Sequence, residues 1–209
     1  MLRTIRKNGL VLALFAVIST GIVAVTNLLT KDTIQQQRTA QLQGLLNQVV
    51  PNQLHDNELY SNCVALSGDE VGSKEPLPMY IATQANKPVA VALEAIAPDG
   101  YNGSIKLLIG VDLYGNVLGV RVLEQNETPG LGDKIDLRVS DWILSFTNKV
   151  ITQDNHDLWH VRKDGGQFDQ FTGATITPRA VVKAVYNAGL YFKKNQQTIL
   201  NNSPQCEVQ

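Results

Sequence analysis

Phe171-Thr172-Gly173-Ala174-Thr175-Ile176-Thr177-Pro178-Arg179 is a lean, hydroxyl-rich loop that runs straight into a helix start. Thr177 suits an N-cap and Pro178 the first helical position. Downstream, Val182, Val185, Gly189 and Phe192 recur at helical spacing and predict an amphipathic helix over 178–194 with one face turned inward. Thr172 and Thr175 thus precede a helix N-terminus, where unpaired N–H groups and the positive dipole end favour an anion. Gly173 and Ala174 leave room for a ligand to approach the backbone. These features suit a phosphate, although a capped helix with nothing bound would carry the same residues.

Working towards the N-terminus, Glu127-Thr128-Pro129-Gly130-Leu131-Gly132-Asp133-Lys134 holds a turn at Pro129-Gly130, of type II with Gly130 at positive φ. Gly132 adds a second flexible point, and Leu131 is offered from the tight loop as an apolar contact. Taken alone, this is an ordinary surface turn. Further back, runs rich in Val, Ile and Leu predict strands over 79–83, 89–96, 104–111 and 117–123. Ala85-Asn86-Lys87-Pro88 and Asp112-Leu113-Tyr114-Gly115-Asn116 join them as hairpins, and 140–146 reads as helical, with Trp142, Ile143 and Phe146 on one side. Residues 52–78 carry turn formers and little periodicity, so irregular structure is expected there. The mixture predicts an α+β domain, an antiparallel sheet with packed helices, over 79–195, followed by a tail over 196–209.

The beginning of the chain is of another kind. Residues 9–29 contain no charge and are dominated by Leu, Val, Ala and Ile, long enough to cross a hydrocarbon core of ~30 Å. Arg3, Arg6 and Lys7 precede this run, so the positive-inside rule leaves residues 1–8 in the cytoplasm and exports the remainder. A cleaved signal would have a shorter core and a small-residue site after it, so one uncleaved transmembrane helix is expected. Residues 30–78 follow as a helical stalk and irregular linker. The stalk helix, over 32–50, has an apolar stripe of Ile34, Leu42, Leu45, Leu46 and Val49. Stalk, part of the domain and contact surface for a neighbouring protein are all open roles for it.

Lys and Arg total 18 against 19 Asp and Glu, with no basic cluster outside the membrane flank, so no nucleic-acid partner is expected. Cys63 and Cys206 lack metal spacing and fall in the exported part, where they either pair or remain two free thiols. His55, His156 and His160 show no ligand pattern, so no metal site is expected. Trp142 and Trp159 are expected in the core rather than against a cofactor.

The run Thr172-Gly173-Ala174-Thr175-Ile176-Thr177 resembles the S/T-G-A-T-x-x-S/T signature of the FMN-binding domain family. That family is found in the G subunit of Rnf (Rsx) ion-translocating oxidoreductases and in the C subunit of sodium-translocating NADH:quinone reductases. Glu127 to Gly132 resembles the family's E-T-P-G-L-G loop, and the similarity runs from about residue 100 to about residue 191. It takes in Asp99-Gly100-Tyr101-Asn102-Gly103 and Asp164-Gly165-Gly166-Gln167-Phe168-Asp169-Gln170. Where the family often has a His two residues before the Glu127 loop, this chain has Gln125, and no flavin role is assigned to it.

The resemblance implies one covalent FMN per chain, esterified through its phosphate to the Thr175 hydroxyl. Thr172, Gly173, Ala174, Thr177, Glu127, Thr128, Gly130, Leu131 and Gly132 are the expected cofactor-binding residues, and no side chain has a catalytic role. It further implies a single-pass protein of the bacterial inner membrane with its domain in the periplasm. Its expected partners are the other membrane and redox subunits of the complex, membrane lipid and an exported flavin transferase. One anchor carrying one domain on a short chain fits the Rnf form better than the quinone-reductase form. An exported, non-enzymatic FMN-binding or sensory module is the reading from another class.

Overall fold

The computed structural model describes residues 2–202 and Cys206. Helix α1 spans Leu2–Val49, and the chain divides into two compact units, Met1–Leu42 and Gln43–Gln209. In the first unit apolar side chains are exposed on every side of α1, among them Leu12, Phe15, Ile18, Val23 and Leu28. A helix apolar all round belongs in lipid or in a core, and α1 is long and apolar enough to cross a membrane. Its few hydroxyls turn back on the helix: Thr26 and Thr30 donate to the carbonyls of Ile22 and Thr26 at 2.9 and 2.8 Å. That satisfies each polar group without water.

The second unit is built on five antiparallel strands in the order β1-β2-β3-β4-β5: Cys63–Gly68, Ser73–Gln84, Lys87–Ala97, Ile105–Asp112 and Val117–Glu124. Ala85 and Asn86, both at positive φ (49° and 61°), make the two-residue turn between β2 and β3. Alternation sorts the faces. Val91, Leu93 and Ala95 of β3 and Leu107, Ile109 and Val111 of β4 join one core with Val181, Val185, Ala188 and Phe192 of helix α2, Ile176–Asn202.

The opposite face carries a notch. Gly110 of β4 and Gly119 of β5 are register partners, and a Cβ at Gly110 would overlap the Val49 carbonyl. The last turn of α1 seats there with Leu46, Val49 and Val50 buried, while Arg121 Nε donates to Gln48 Oε1 at 2.8 Å. Of the three roles left open for the 32–50 segment, the structure makes its end part of the domain.

Two expectations need correction. Residues 52–78 are not irregular throughout, because β1 and the first half of β2 lie within them. Pro76 and Pro78 disguise the strand; residues 73–78 pair with β1 alone, and β3 joins only from Met79 onward, so a missing N–H can face the unpaired side. The last helix also begins earlier than its cap signal suggests, at Ile176. Pro178 then sits within the first turn, where its missing N–H has no intrahelical partner to lose.

Between β5 and α2 the chain runs through short 3-10 turns, Gly132–Ile135, Asp141–Phe146, Gln153–Leu158 and Arg162–Asp164. Aromatic contacts hold them: Phe146 stacks on Phe168 at 4.5 Å, and Trp142 meets Phe171 edge-on at 5.1 Å. Trp142 Nε1 also donates to the Asp169 carbonyl at 2.8 Å.

Cys63 and Cys206 form a disulfide with their Cα atoms 5.6 Å apart, and Cys206 N–H donates to the Cys63 carbonyl at 3.3 Å. Of the tail expected over 196–209, residues 196–202 instead continue α2, with Ile199 buried in the core, and residues 203–205 and 207–209 lie outside the described residues. The bridge closes a sequence separation of 143 residues. Cys206→Ser is therefore expected to destabilise the domain by about 2–4 kcal/mol, read as a lower urea midpoint under oxidising conditions. An unchanged midpoint would show that the bridge does not restrain the unfolded chain.

Candidate functional site

Three loops meet beside the N-terminus of α2. In the first, the Thr128 carbonyl accepts from Leu131 N–H at 3.1 Å and Gly132 N–H at 3.0 Å, and Gly130 takes φ 76°, as the turn reading requires. In the second, Asn102 N–H donates to Glu127 Oε1 at 3.0 Å and Asn102 Nδ2 donates to the Asn126 carbonyl at 2.6 Å. In the third, Ala174 N–H donates to the Phe171 carbonyl at 3.3 Å across a turn in which Gly173 has φ 84°. Phe171 anchors that turn in the aromatic core.

The loops enclose a cavity of about 300 Å³, at the small end of the usual ligand range. Of the residues expected to bind a cofactor, Gly173, Ala174, Thr175, Thr177, Glu127, Thr128, Leu131 and Gly132 line it together. Thr172 and Gly130 do not line it; they lie in the turns that shape its edges. Two lining residues, Tyr101 and Ile176, were missed by the sequence reading. Both are large groups left exposed in the structure, 67% and 47%, a property that no local pattern in the sequence reports.

The three threonine hydroxyls of the 172–177 run have different fates. Thr177 is fully buried and its hydroxyl donates to Glu127 Oε2, so it does not cap the helix. Thr172 is exposed outside the cavity. Thr175 is half-buried in the cavity wall, and its hydroxyl makes no hydrogen bond to any described residue, while its carbonyl accepts from Arg179 Nη1 at 3.1 Å. Arg179 also grips Asp164 with two bonds of 2.5 and 2.9 Å. The side-chain hydrogen bonds from Arg179 hold the Asp164 carboxyl below its ordinary range, and the same pairing raises the guanidinium. The loop is thereby pinned from outside the cavity, and Arg179 is already neutralised.

Among the described residues, no lysine, arginine or histidine lines the cavity. A second cavity of about 360 Å³ holds His156, His160, Trp159 and Tyr186, with the two imidazoles edge to face at 4.9 Å. Trp159 is buried in the core and Trp142 is part-buried against it; neither lines the first cavity. Among the described residues no group of three His, Cys, Asp or Glu side chains is placed to hold a metal.

A family profile described as the FMN-binding domain matches residues 100–189, and one described as the RnfG N-terminal region matches residues 1–49. The G subunit of the ion-translocating oxidoreductase complex of Vibrio atlanticus (strain LGP32) is 60% identical over 206 residues, 99% of each chain. The G subunit of Vibrio cholerae (strain O395) is 56% identical over 209 residues, 100% of each chain. That of Shewanella oneidensis is 55% identical over 203 residues, 97% of this chain and 96% of its own. The chain belongs to the RnfG family. The resemblance read from the Thr175 and Glu127 loops is thus confirmed, and the Rnf form is the right one of the two.

The match to the FMN-binding domain of the RnfG family opens at the Gly100 loop and closes within α2, so it takes in all three loops around the cavity. The residues present fit that cofactor. Its phosphate needs donors, and the first N–H groups of α2 are free of intrahelical partners and lie at the positive end of the helix dipole. Gly173 admits close approach, with only Leu131 Cδ2 near a Cβ built there, at 3.4 Å. Tyr101, Leu131 and Ile176 supply apolar wall for a flat ring. Gly130→Val forces a β-branched residue to φ 76°, which is expected to cost ~1–3 kcal/mol. A lower urea midpoint for the full chain in detergent checks it; an unaltered one would show that the turn tolerates a side chain.

Proposed function

We propose that this chain is a membrane-anchored electron carrier within an ion-translocating oxidoreductase complex, and that it holds one FMN through an ester between the flavin phosphate and Thr175 Oγ. The observation that carries the attachment point is the uncommitted Thr175 hydroxyl, which alone among the three in its loop both lines the cavity and lacks a partner among the described residues. Forming the ester joins Thr175 Oγ to phosphorus. The hydroxyl proton leaves to a base, and a leaving group departs from an activated flavin phosphate. The cavity lining offers no nucleophile–base–orienter set and no metal cluster to run that step, so a separate, exported flavin transferase is its catalyst.

FMN supplies one- and two-electron redox chemistry when bound. The chain's own residues hold and shield it: α2 N–H groups meet the phosphate, Gly173, Ala174, Thr128, Leu131 and Gly132 wall the cavity, and Thr172 and Gly130 shape its edges. Covalent retention suits an exported carrier, which has no cytosolic flavin pool to rebind from. Arg3, Arg6 and Lys7, in the first turns of α1 ahead of its uncharged run, support an N-terminus in the cytoplasm of a bacterial inner membrane and a domain in the periplasm. Membrane lipid and the other membrane and redox subunits of the complex are then its partners.

Denaturing electrophoresis of the full chain, produced with and without a flavin transferase, tests this reading. Flavin fluorescence is expected to stay with the boiled band only when the transferase is present. A dark band in both samples would favour an exported module that holds FMN without a covalent bond.

A further inference from the structure

Glu127 is only 4% exposed, and both of its carboxylate oxygens are occupied by this chain. Oε1 accepts from Asn102 N–H at 3.0 Å, and Oε2 accepts from the buried Thr177 hydroxyl. With both partners donating, the contacts suit a carboxylate that only accepts. Its own N–H donates to Gln125 Oε1 at 2.6 Å, which gives a structural role to the residue at which this chain departs from its family's usual His. Two glycines make room for the group: a Cβ at Gly132 would come within 2.8 Å of Glu127 Oε2, and one at Gly100 within 3.1 Å of Oε1. Among the described residues, no cationic side chain stands within ion-pair distance of Glu127.

We propose that Glu127 is the positioning residue of this site: a buried, uncompensated negative charge that clasps the Asn102 loop to the first turn of α2, holds Thr175 at its place in the cavity wall, and lowers the reduction potential of the flavin held there. The last part rests on the reading of the cavity as the FMN site; the clasp does not. Thr177 lies two residues beyond Thr175, so fixing its hydroxyl fixes the register of the helix start that presents Thr175. The charge acts because it stands on the cavity wall, in a poorly solvated spot, where adding negative charge to a neighbouring ring is opposed.

Two measurements separate these parts. In the full chain made without transferase, Glu127→Ala should speed hydrogen exchange at the Asn102 amide by at least about tenfold, the factor carried by one lost charge-assisted hydrogen bond. Exchange in the paired centres of β3 and β4 should be unchanged. Wild-type exchange at Asn102 in that variant would overturn the clasp whether or not flavin binds. In the flavin-loaded chain, Glu127→Gln keeps the size of the side chain and can keep both hydrogen bonds, because the Thr177 hydroxyl can turn to accept from the amide. Its midpoint potential in a spectroscopic redox titration should shift to more positive values. An unshifted potential would overturn the electrostatic part. Thr177→Val, which leaves the charge and removes the clasp, should slow flavin transfer to Thr175; transfer at the wild-type rate would count against the positioning role. If the wild-type chain took no covalent flavin at all, the attachment reading would fail while the exchange measurement still decided the clasp.

Discussion

Thr175→Ala is expected to abolish covalent flavin while leaving the domain folded. The loss should be complete rather than graded, because the ester needs an oxygen and alanine has none. The stability change should be small, within about 0.5 kcal/mol, as for surface substitutions that touch no special feature. Thr175 is half-buried, and its hydroxyl neither caps the helix nor bonds to any described residue, so no protein partner is orphaned. Thr175→Ser should retain flavin, since it keeps the hydroxyl on the same backbone. Intact mass and in-gel fluorescence read the first effect, and urea unfolding of the chain in detergent reads the second. Flavin that survived boiling on the alanine variant would move the attachment elsewhere, with Thr172 the next hydroxyl to test.

A second large effect is expected at the glycine pair under the end of α1. Gly110→Ala places a Cβ where the Val49 carbonyl now lies, with Val49 Cβ also within 3.2 Å of it. The neighbouring atoms are mainly backbone, so no side chain can swing aside to relieve the overlap. Overpacking of this kind costs about 1–3 kcal/mol, and here the relief requires lifting the end of α1 from the sheet. The variant should therefore show a lower urea midpoint together with faster hydrogen exchange at Leu46 and Val50. Normal exchange at those amides would mean that the helix end is not seated on the notch as described. Gly119→Ala should be milder, since its nearest neighbour is Val49 Cα at 3.0 Å.

Which parts of this protein were legible in its sequence follows from the range of the forces involved. Runs rich in Val, Ile and Leu such as Val89 to Ile96 report a local preference for a buried strand, and they became β3 within a residue or two of expectation. The positive φ at Gly130 was legible because the turn demands it locally. The hairpin of β1 and β2 was not, since Pro76 and Pro78 read as breakers until one knows that β1 alone pairs with that stretch. The same distinction explains Thr177. Its cap signal is real, but a carboxylate 50 residues away in sequence takes the hydroxyl.

By itself, the sequence determined the apolar span of α1, the antiparallel α+β character of the domain, and the two loops by which the RnfG family is recognised. Those depend on patterns within a few residues, where side-chain period and turn chemistry act. The tertiary structure alone decided that Cys63 meets Cys206, that the end of α1 rests on a Gly110–Gly119 notch, and that Tyr101 and Ile176 join the cavity. It also decided which hydroxyl lines the cavity without being committed to a described partner. Each of these depends on groups brought together by folding of the sheet and its loops, and no local preference of either partner encodes the meeting.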